Sequence, residues 1–235
     1  MTLSNDRPGA QRAPGDSLLD AARRSVQWGL NRGTSGNLSE RLPVGYLITP
    51  SGAALDGLVA DDLVVMDPHG GYPRGQRPSS EWRMHHDLYR ARPEIGGIVH
   101  THSVHAAALA SHGRRIPPFH YMVAVAGGAD IPCAPYATFG TQELSDQALR
   151  ALERRDACLL AHHGVLAVGA DPGAALNLAL EVEHLAGMYL AACQLGEPPL
   201  LDEAEMQRVI ERFRHYGGNA APAREAAASA DATES

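Results

Sequence analysis

The sequence predicts an α/β protein, one layered domain with a central mixed sheet flanked by helices. Short apolar runs of strand length, bounded by turn residues, alternate with longer segments whose apolar residues recur at helical spacing. The 235-residue chain is 44% hydrophobic and 20% charged, enough for one sizeable core, and it has no internal repeat or composition break.

Taken in order, residues 1–16 are polar, carry Pro8 and Pro14, and read as a flexible lead without a secretory signal. Ser17 can cap a first helix running through Leu18, Leu19, Val26 and Leu30 and stopped by Gly33. Asn37-Leu38-Ser39, Tyr46-Leu47-Ile48-Thr49 and Leu63-Val64-Val65-Met66 read as strands. A second helix is expected from Ser79 or Ser80 to just before Pro93. The buried run Ile95 to Val99 follows as a strand, and then a helix over Val104 to Ser111. Thr141 opens a helix through Leu152, and Cys158–Ala161 and Val165–Val168 form a strand pair around His162-His163-Gly164. Pro172 starts a long Ala- and Leu-rich helix ending near Gly196, and a last helix spans Asp202 to Tyr216. Residues 217–235 are rich in Ala, Gly, Ser and charge, and are expected to be disordered, leaving 17–216 as the domain.

Charge and composition exclude several functions. A formal net charge of −7 argues against nucleic-acid binding, and a phosphorylated substrate would have to be held by local donors. Cys133, Cys158 and Cys193 are scattered in apolar surroundings, which suits buried thiols in a reducing cytoplasm rather than disulfides. The longest apolar stretch, Ala174 to Cys193, is broken by Glu181, Glu183 and His184 and is not membrane-spanning.

Three separated segments carry the chemistry: Ser79-Ser80-Glu81, His100-Thr101-His102 and His162-His163-Gly164. Imidazoles and a carboxylate are the ligands of a catalytic zinc ion, three from protein with a position left for substrate. On a strand, His100 and His102 point to one side. His162 and His163 point opposite ways, so one of the two is expected to join them. Alone, each histidine pair is more simply a set of core or surface residues, and Glu81 a helix-dipole carboxylate. Ser79 and Ser80 lie where a helix N-terminus would present free N–H groups to phosphate, although the same serines would serve as a cap. Gly33-Thr34-Ser35-Gly36-Asn37 and Thr49-Pro50-Ser51-Gly52 are anion-cradle turns of lower specificity. The other histidines, His85 and His105 among them, read as structural or solvent-facing.

Together these blocks, with His120-Tyr121-Met122 and the stretch from Ile131 to Gly140, resemble the class II aldolase and adducin family from about Leu18 to Tyr216. The resemblance implies a mostly antiparallel or mixed sheet and a zinc site made by His100, His102 and His163, which resolves the pair in favour of His163. It assigns Glu81 as fourth ligand and acid/base. Thr34, Gly36, Asn37, Ser51, Gly52, Ser79 and Ser80 would hold substrate phosphate. It implies a homotetramer in which Tyr121 reaches a neighbouring subunit's site as a proton-exchanging residue, with Phe139 and Tyr216 shaping the aldehyde end. The implied reaction is cleavage of a ketose 1-phosphate, L-fuculose 1-phosphate first, to dihydroxyacetone phosphate and L-lactaldehyde.

The alternatives are an aldolase for a rhamnulose or 5-deoxypentulose 1-phosphate, a ribulose-5-phosphate 4-epimerase, a methylthioribulose-phosphate dehydratase, and a non-catalytic adducin-like module. Epimerases of this family carry aspartate after the serine pair, so Glu81 favours the aldolase. The intact ligand set argues against the module.

Overall fold

The computed structural model describes residues 13–216, with side chains as far as Phe213. Its elements are α1 (Asp16–Gln27), β1 (Asn37–Arg41), β2 (Tyr46–Ile48), β3 (Val64–Met66), α2 (Trp82–Ala91), β4 (Gly97–Thr101) and α3 (Val104–Ser111). Then come β5 (Cys133–Ala134), α4 (Gln142–Ala151), β6 (Ala157–Leu160), β7 (Gly164–Gly169), α5 (Pro172–Cys193) and α6 (Glu203–Tyr216). One sheet runs in the order β3-β2-β1-β4-β7-β6-β5, and every pairing in it is antiparallel except β5 with β6. The expected α/β architecture with a mixed, largely antiparallel sheet is the observed one.

Alternation along the central strands sorts their side chains between two cores. Leu38, Val99, Val165 and Ala167 pack on the side of α1, α3 and α5. Ile48, Ile98, Leu166 and Val168 pack on the other side with residues of α2 and α4. The sheet is thus buried on both faces, which is why its strands read as nearly continuous apolar runs. Asn37 of β1 pairs with His100 of β4, and His100 with Leu166 of β7, so these side chains point to the α2 side.

Several element ends differ from expectation. The first helix opens at Asp16 after Gly15 in the left-handed region, not at a Ser17 cap, and it stops at Gln27. Trp28 and left-handed Gly29 end it before Leu30, so Gly33 is a turn residue in the following loop. The second helix opens at Trp82, because Ser79 and Ser80 are spent in a turn and Glu81 takes the N-cap position. Thr141 and Asp171 cap α4 and α5 through their side chains, accepting from Leu144 N–H at 3.2 Å and Ala174 N–H at 2.8 Å. Of the cysteines only Cys158 is fully buried; Cys133 is half-buried and its thiol is pushed up to about 11 by desolvation. No helix among the described residues is long and apolar enough to cross a membrane. The expected tail at 217–235, most of the lead, and the Tyr216 side chain lie outside the described residues.

Candidate active site

The histidines arrive at one point from two strand ends. β4 delivers His100 from its interior and His102 from just past its last residue, while His163 lies in the turn between β6 and β7. The three ring centroids stand 4.9, 4.7 and 4.9 Å apart, each pair edge-on. Gly164 permits this closeness: a Cβ there would come within 2.2 Å of the Thr101 carbonyl and 3.2 Å of the His102 ring. His162 adopts φ 55, the only positive φ of a described non-glycine residue. That kink turns His163 toward the other two rings and sends His162 to an exposed position against Tyr136.

Glu81 completes the group. Its carboxylate lies 3.3 Å from His100 Nε2 through Oε2 and 3.4 Å from His163 Nε2 through Oε1. One ligand atom from each of Glu81, His100, His102 and His163 lies within 4.8 Å of every other. A four-coordinate ion with bonds of about 2.0–2.1 Å sets its ligand atoms roughly 3.3 Å apart, close to the spacings seen here. Glu81 Oε1 is buried without a hydrogen-bond partner. That deficit costs about 1–3 kcal/mol when nothing fills it.

Tautomer and charge agree with a ligand role. His100 Nδ1 lies 2.7 Å from the Val165 carbonyl, which only accepts, so the ring proton is on Nδ1 and the Nε2 lone pair faces the cluster. Burial, helped by the neighbouring His102, pushes His100 down to about 3. Burial likewise lowers His102, and burial with His100 beside it takes His163 to about 4. Contacts to Glu81 would count as ion pairs only with protonated rings. Desolvation outweighs the carboxylate's attraction, so the rings are neutral at pH 7 and free to donate lone pairs. The residues fit a divalent cation.

A cavity of about 340 Å³ opens beside the cluster. Thr34, Gly36, Asn37, Ser51, Gly52, Ser79 and Ser80 all line it, together with Glu81, His102, His163 and Phe139. Gly36 at φ 78 is held against Asn31, whose Oδ1 would lie 2.2 Å from any Cβ and which also accepts the His102 N–H at 3.3 Å. Asn31 therefore ties the glycine turn to a metal-facing histidine. Arg83 donates to the Gly140 carbonyl at 2.9 Å and fixes the loop that carries Phe139.

The aldehyde-end residues behave differently. Phe139 reaches the rim but is 65% exposed, and Tyr121 is 51% exposed, stacks on Phe213 at 6.5 Å and does not line the cavity. Sequence reasoning missed Tyr136 and Ala137 as lining residues and Asn31 and His85 as supports, and it had Ser35, Pro50 and His162 only as members of the cradle turns and of the histidine pair. Only His85 carried a readable signal, lying one helical turn beyond Glu81. His105 is separate from the site and bonded to Glu183 at 2.8 Å.

Residues 16–190 match the model of the class II aldolase and adducin N-terminal domain, so the chain belongs to that family. Within it the chain is a class II aldolase, an enzyme of the aldehyde-lyase class. It is 52% identical over 213 residues to a 5-methylthioribulose-1-phosphate/5-deoxyribulose-1-phosphate aldolase of Rhodospirillum rubrum, covering 91% of this chain and 96% of that one. It is 45% identical over 201 residues to the L-fuculose phosphate aldolase of Escherichia coli K12, covering 85% and 94%. A solved L-fuculose 1-phosphate aldolase superposes with a TM-score of 0.83 at 40% identity, over 87% of this chain and 98% of that one.

Proposed function

We propose that this enzyme binds zinc and cleaves a ketose 1-phosphate into dihydroxyacetone phosphate and a small aldehyde. The observation that carries the reading is the convergence of three neutral imidazoles and Glu81 beside a cavity rimmed by hydroxyls and glycine turns. Three imidazoles and a carboxylate make zinc the natural occupant. When bound, the ion supplies Lewis-acid stabilisation of the charge that develops on the phosphorylated fragment.

The chain's residues supply the rest. Backbone N–H groups around Gly36 and Gly52 and the hydroxyls of Thr34, Ser51, Ser79 and Ser80 grip the phosphate, which a chain of net charge −7 does not attract by its overall field. The grip fixes the C3–C4 bond beside the histidine cluster. As that bond breaks, the C4 hydroxyl loses its proton and becomes the aldehyde carbonyl, and the electron pair remains at C3. Glu81 delivers a proton to C3, and in the synthetic direction removes it. Tyr121 exchanges the proton at the aldehyde oxygen. It faces away from its own chain's cavity, which supports a homotetramer with sites between subunits, Tyr121 serving the neighbour. Phe139 and Tyr216 shape the aldehyde end, residues 17–216 form the functional domain, and the enzyme works in the cytoplasm.

For the aldehyde half, the 52% relative favours a 5-deoxy- or 5-methylthio-pentulose 1-phosphate. L-Fuculose 1-phosphate is the second reading, favoured by the 45% relative and the 40% structural match. Dihydroxyacetone phosphate release measured across a panel of ketose 1-phosphates tests both, with fastest release expected from 5-deoxyribulose 1-phosphate. Release from none, with interconversion of pentulose 5-phosphates instead, would replace the aldolase by an epimerase.

A further inference from the structure

From Glu81 a buried polar row runs inward whose members His85, Ser39 and Tyr89 the chemistry above does not use. Glu81, His85 and Tyr89 stand at four-residue intervals along α2, and Asn37 and Ser39 stand two apart on β1. Four residues of helix advance about 6 Å and two residues of strand about 6.6 Å, so the two rows interleave. Asn37 Nδ2 donates to Glu81 Oε2 at 2.9 Å, and His85 Nε2 meets Asn37 Oδ1 at 2.6 Å. Ser39 Oγ lies 2.7 Å from His85 Nδ1 and 2.8 Å from the Tyr89 hydroxyl. All five side chains are buried.

The polarity of this row is set from one end. A carboxylate only accepts, so Asn37 turns its NH₂ to Glu81 and its oxygen to His85. His85 then donates from Nε2 and accepts the Ser39 hydroxyl proton at Nδ1, and Ser39 accepts from Tyr89. Reversing any inner member sets two donors or two acceptors face to face. Burial pushes the His85 imidazole down to about 3, so the ring stays neutral. One Nδ2 hydrogen of Asn37 remains for a ligand in the cavity.

We infer that His85 is a positioning residue: its Nε2–H fixes the Asn37 amide from the far side in the orientation that holds Glu81 Oε2 beside His100, with the unpartnered Oε1 next to His163. Without His85 the amide is held from the Glu81 side alone and its buried Oδ1 is left without a donor, so it is free to swing away from Oε2. The consequence for turnover rests on the aldolase reading of Glu81; the lock itself does not.

Three variants and one spectrum test it. His85→Leu is expected to lower kcat about 10- to 100-fold, with zinc content unchanged and KM raised less than about threefold. His85→Gln, whose amide keeps one donor and one acceptor, recovers most of that loss. Tyr89→Phe removes only the last donor and changes kcat less than about threefold, although it too lowers the melting temperature. In the metal-free protein, long-range ¹H–¹⁵N spectra show His85 protonated on Nε2, and His85→Leu shifts the Asn37 side-chain amide. An Nδ1-protonated His85, an unmoved Asn37 amide, or rate losses that merely follow the melting temperatures across the three variants would overturn the lock. If His85→Leu does not fold, the wild-type spectrum and His85→Gln decide it. A wild-type enzyme inactive on every ketose 1-phosphate removes the aldolase reading alone, since tautomer and amide shift are read without substrate.

Discussion

The two ends of the cavity are built on opposite plans. At the histidine end Glu81 and His100 are buried, and Thr34, Gly52 and Ser80 sit in tight turns of the same chain, with His102 the exposed member. Glu81 is 7% exposed and His100 fully buried, each braced by hydrogen bonds to a neighbouring strand or side chain. At the aldehyde end Phe139 and Tyr136 stand more than half exposed on a loop, and Tyr121 points elsewhere. On the proposed function, a braced end that grips what the substrates share and an open end that meets what varies would suit changing the aldehyde without rebuilding the chemistry. The relatives are consistent with it, since similar chains carry names for different sugar phosphates.

The largest effect that separates the two ends is at the metal. His100→Ala is expected to lose zinc and on the order of 10³-fold in kcat/KM, whereas Phe139→Ala changes the ranking of aldehydes with zinc intact. Metal analysis beside kinetics checks this, and a His100→Ala protein with one zinc per chain would break the contrast. Next is the origin of Tyr121. Glu81→Gln and Tyr121→Phe should each lose on the order of 10²-fold or more in kcat. Co-expressed as a mixed oligomer, they should regain activity in sites that pair the intact Glu81 of one chain with the intact Tyr121 of another. No recovery in a verified mixed oligomer would place Tyr121 outside the neighbour's site.

A smaller effect belongs to the phosphate rim. Ser80→Ala removes one hydrogen bond to a charged group, so KM should rise about 10-fold with kcat nearly kept. A fall in kcat alone would move Ser80 from substrate binding to the chemistry. The last effect is a loss of stability; it is absent at neutral pH and grows as the pH falls. Burial pushes the folded His85 imidazole down to about 3 from its ordinary 6.5, so between those values the unfolded chain binds the extra proton. Its contribution is fully present above about pH 6.5 and is lost as pH falls toward 3. Denaturation midpoints of metal-free protein should therefore decline below pH 6.5, with a shallower decline in His85→Gln.

Much of this was legible before any coordinates. Ile98, Val99, Val165 and Leu166 lie in strands buried on both faces, which leaves a short continuous apolar run whose length and flanking turn residues favour a strand. His100, His102 and Glu81 were legible as candidate ligands from residue type and placement, whereas the choice of His163 over His162 came from the family resemblance and not from the residues themselves. The starts at Val104, Thr141 and Pro172 were read correctly, but α2 was read early, because Ser79 and Ser80 favour a cap and a turn equally and local propensity does not choose.

Residue type and periodicity settle which side chains are polar, which face of an element is buried, and which groups are able to bind a cation, because those are local properties of the chain. Distances are not local. That His163 rather than His162 turns inward depends on one positive φ between β6 and β7. That His85 supports Glu81 through Asn37 depends on how α2 lies across β1. Tyr121 lies outside the cavity and stacks on Phe213 of α6. Each depends on packing between elements far apart in the chain, and only the folded arrangement holds that information.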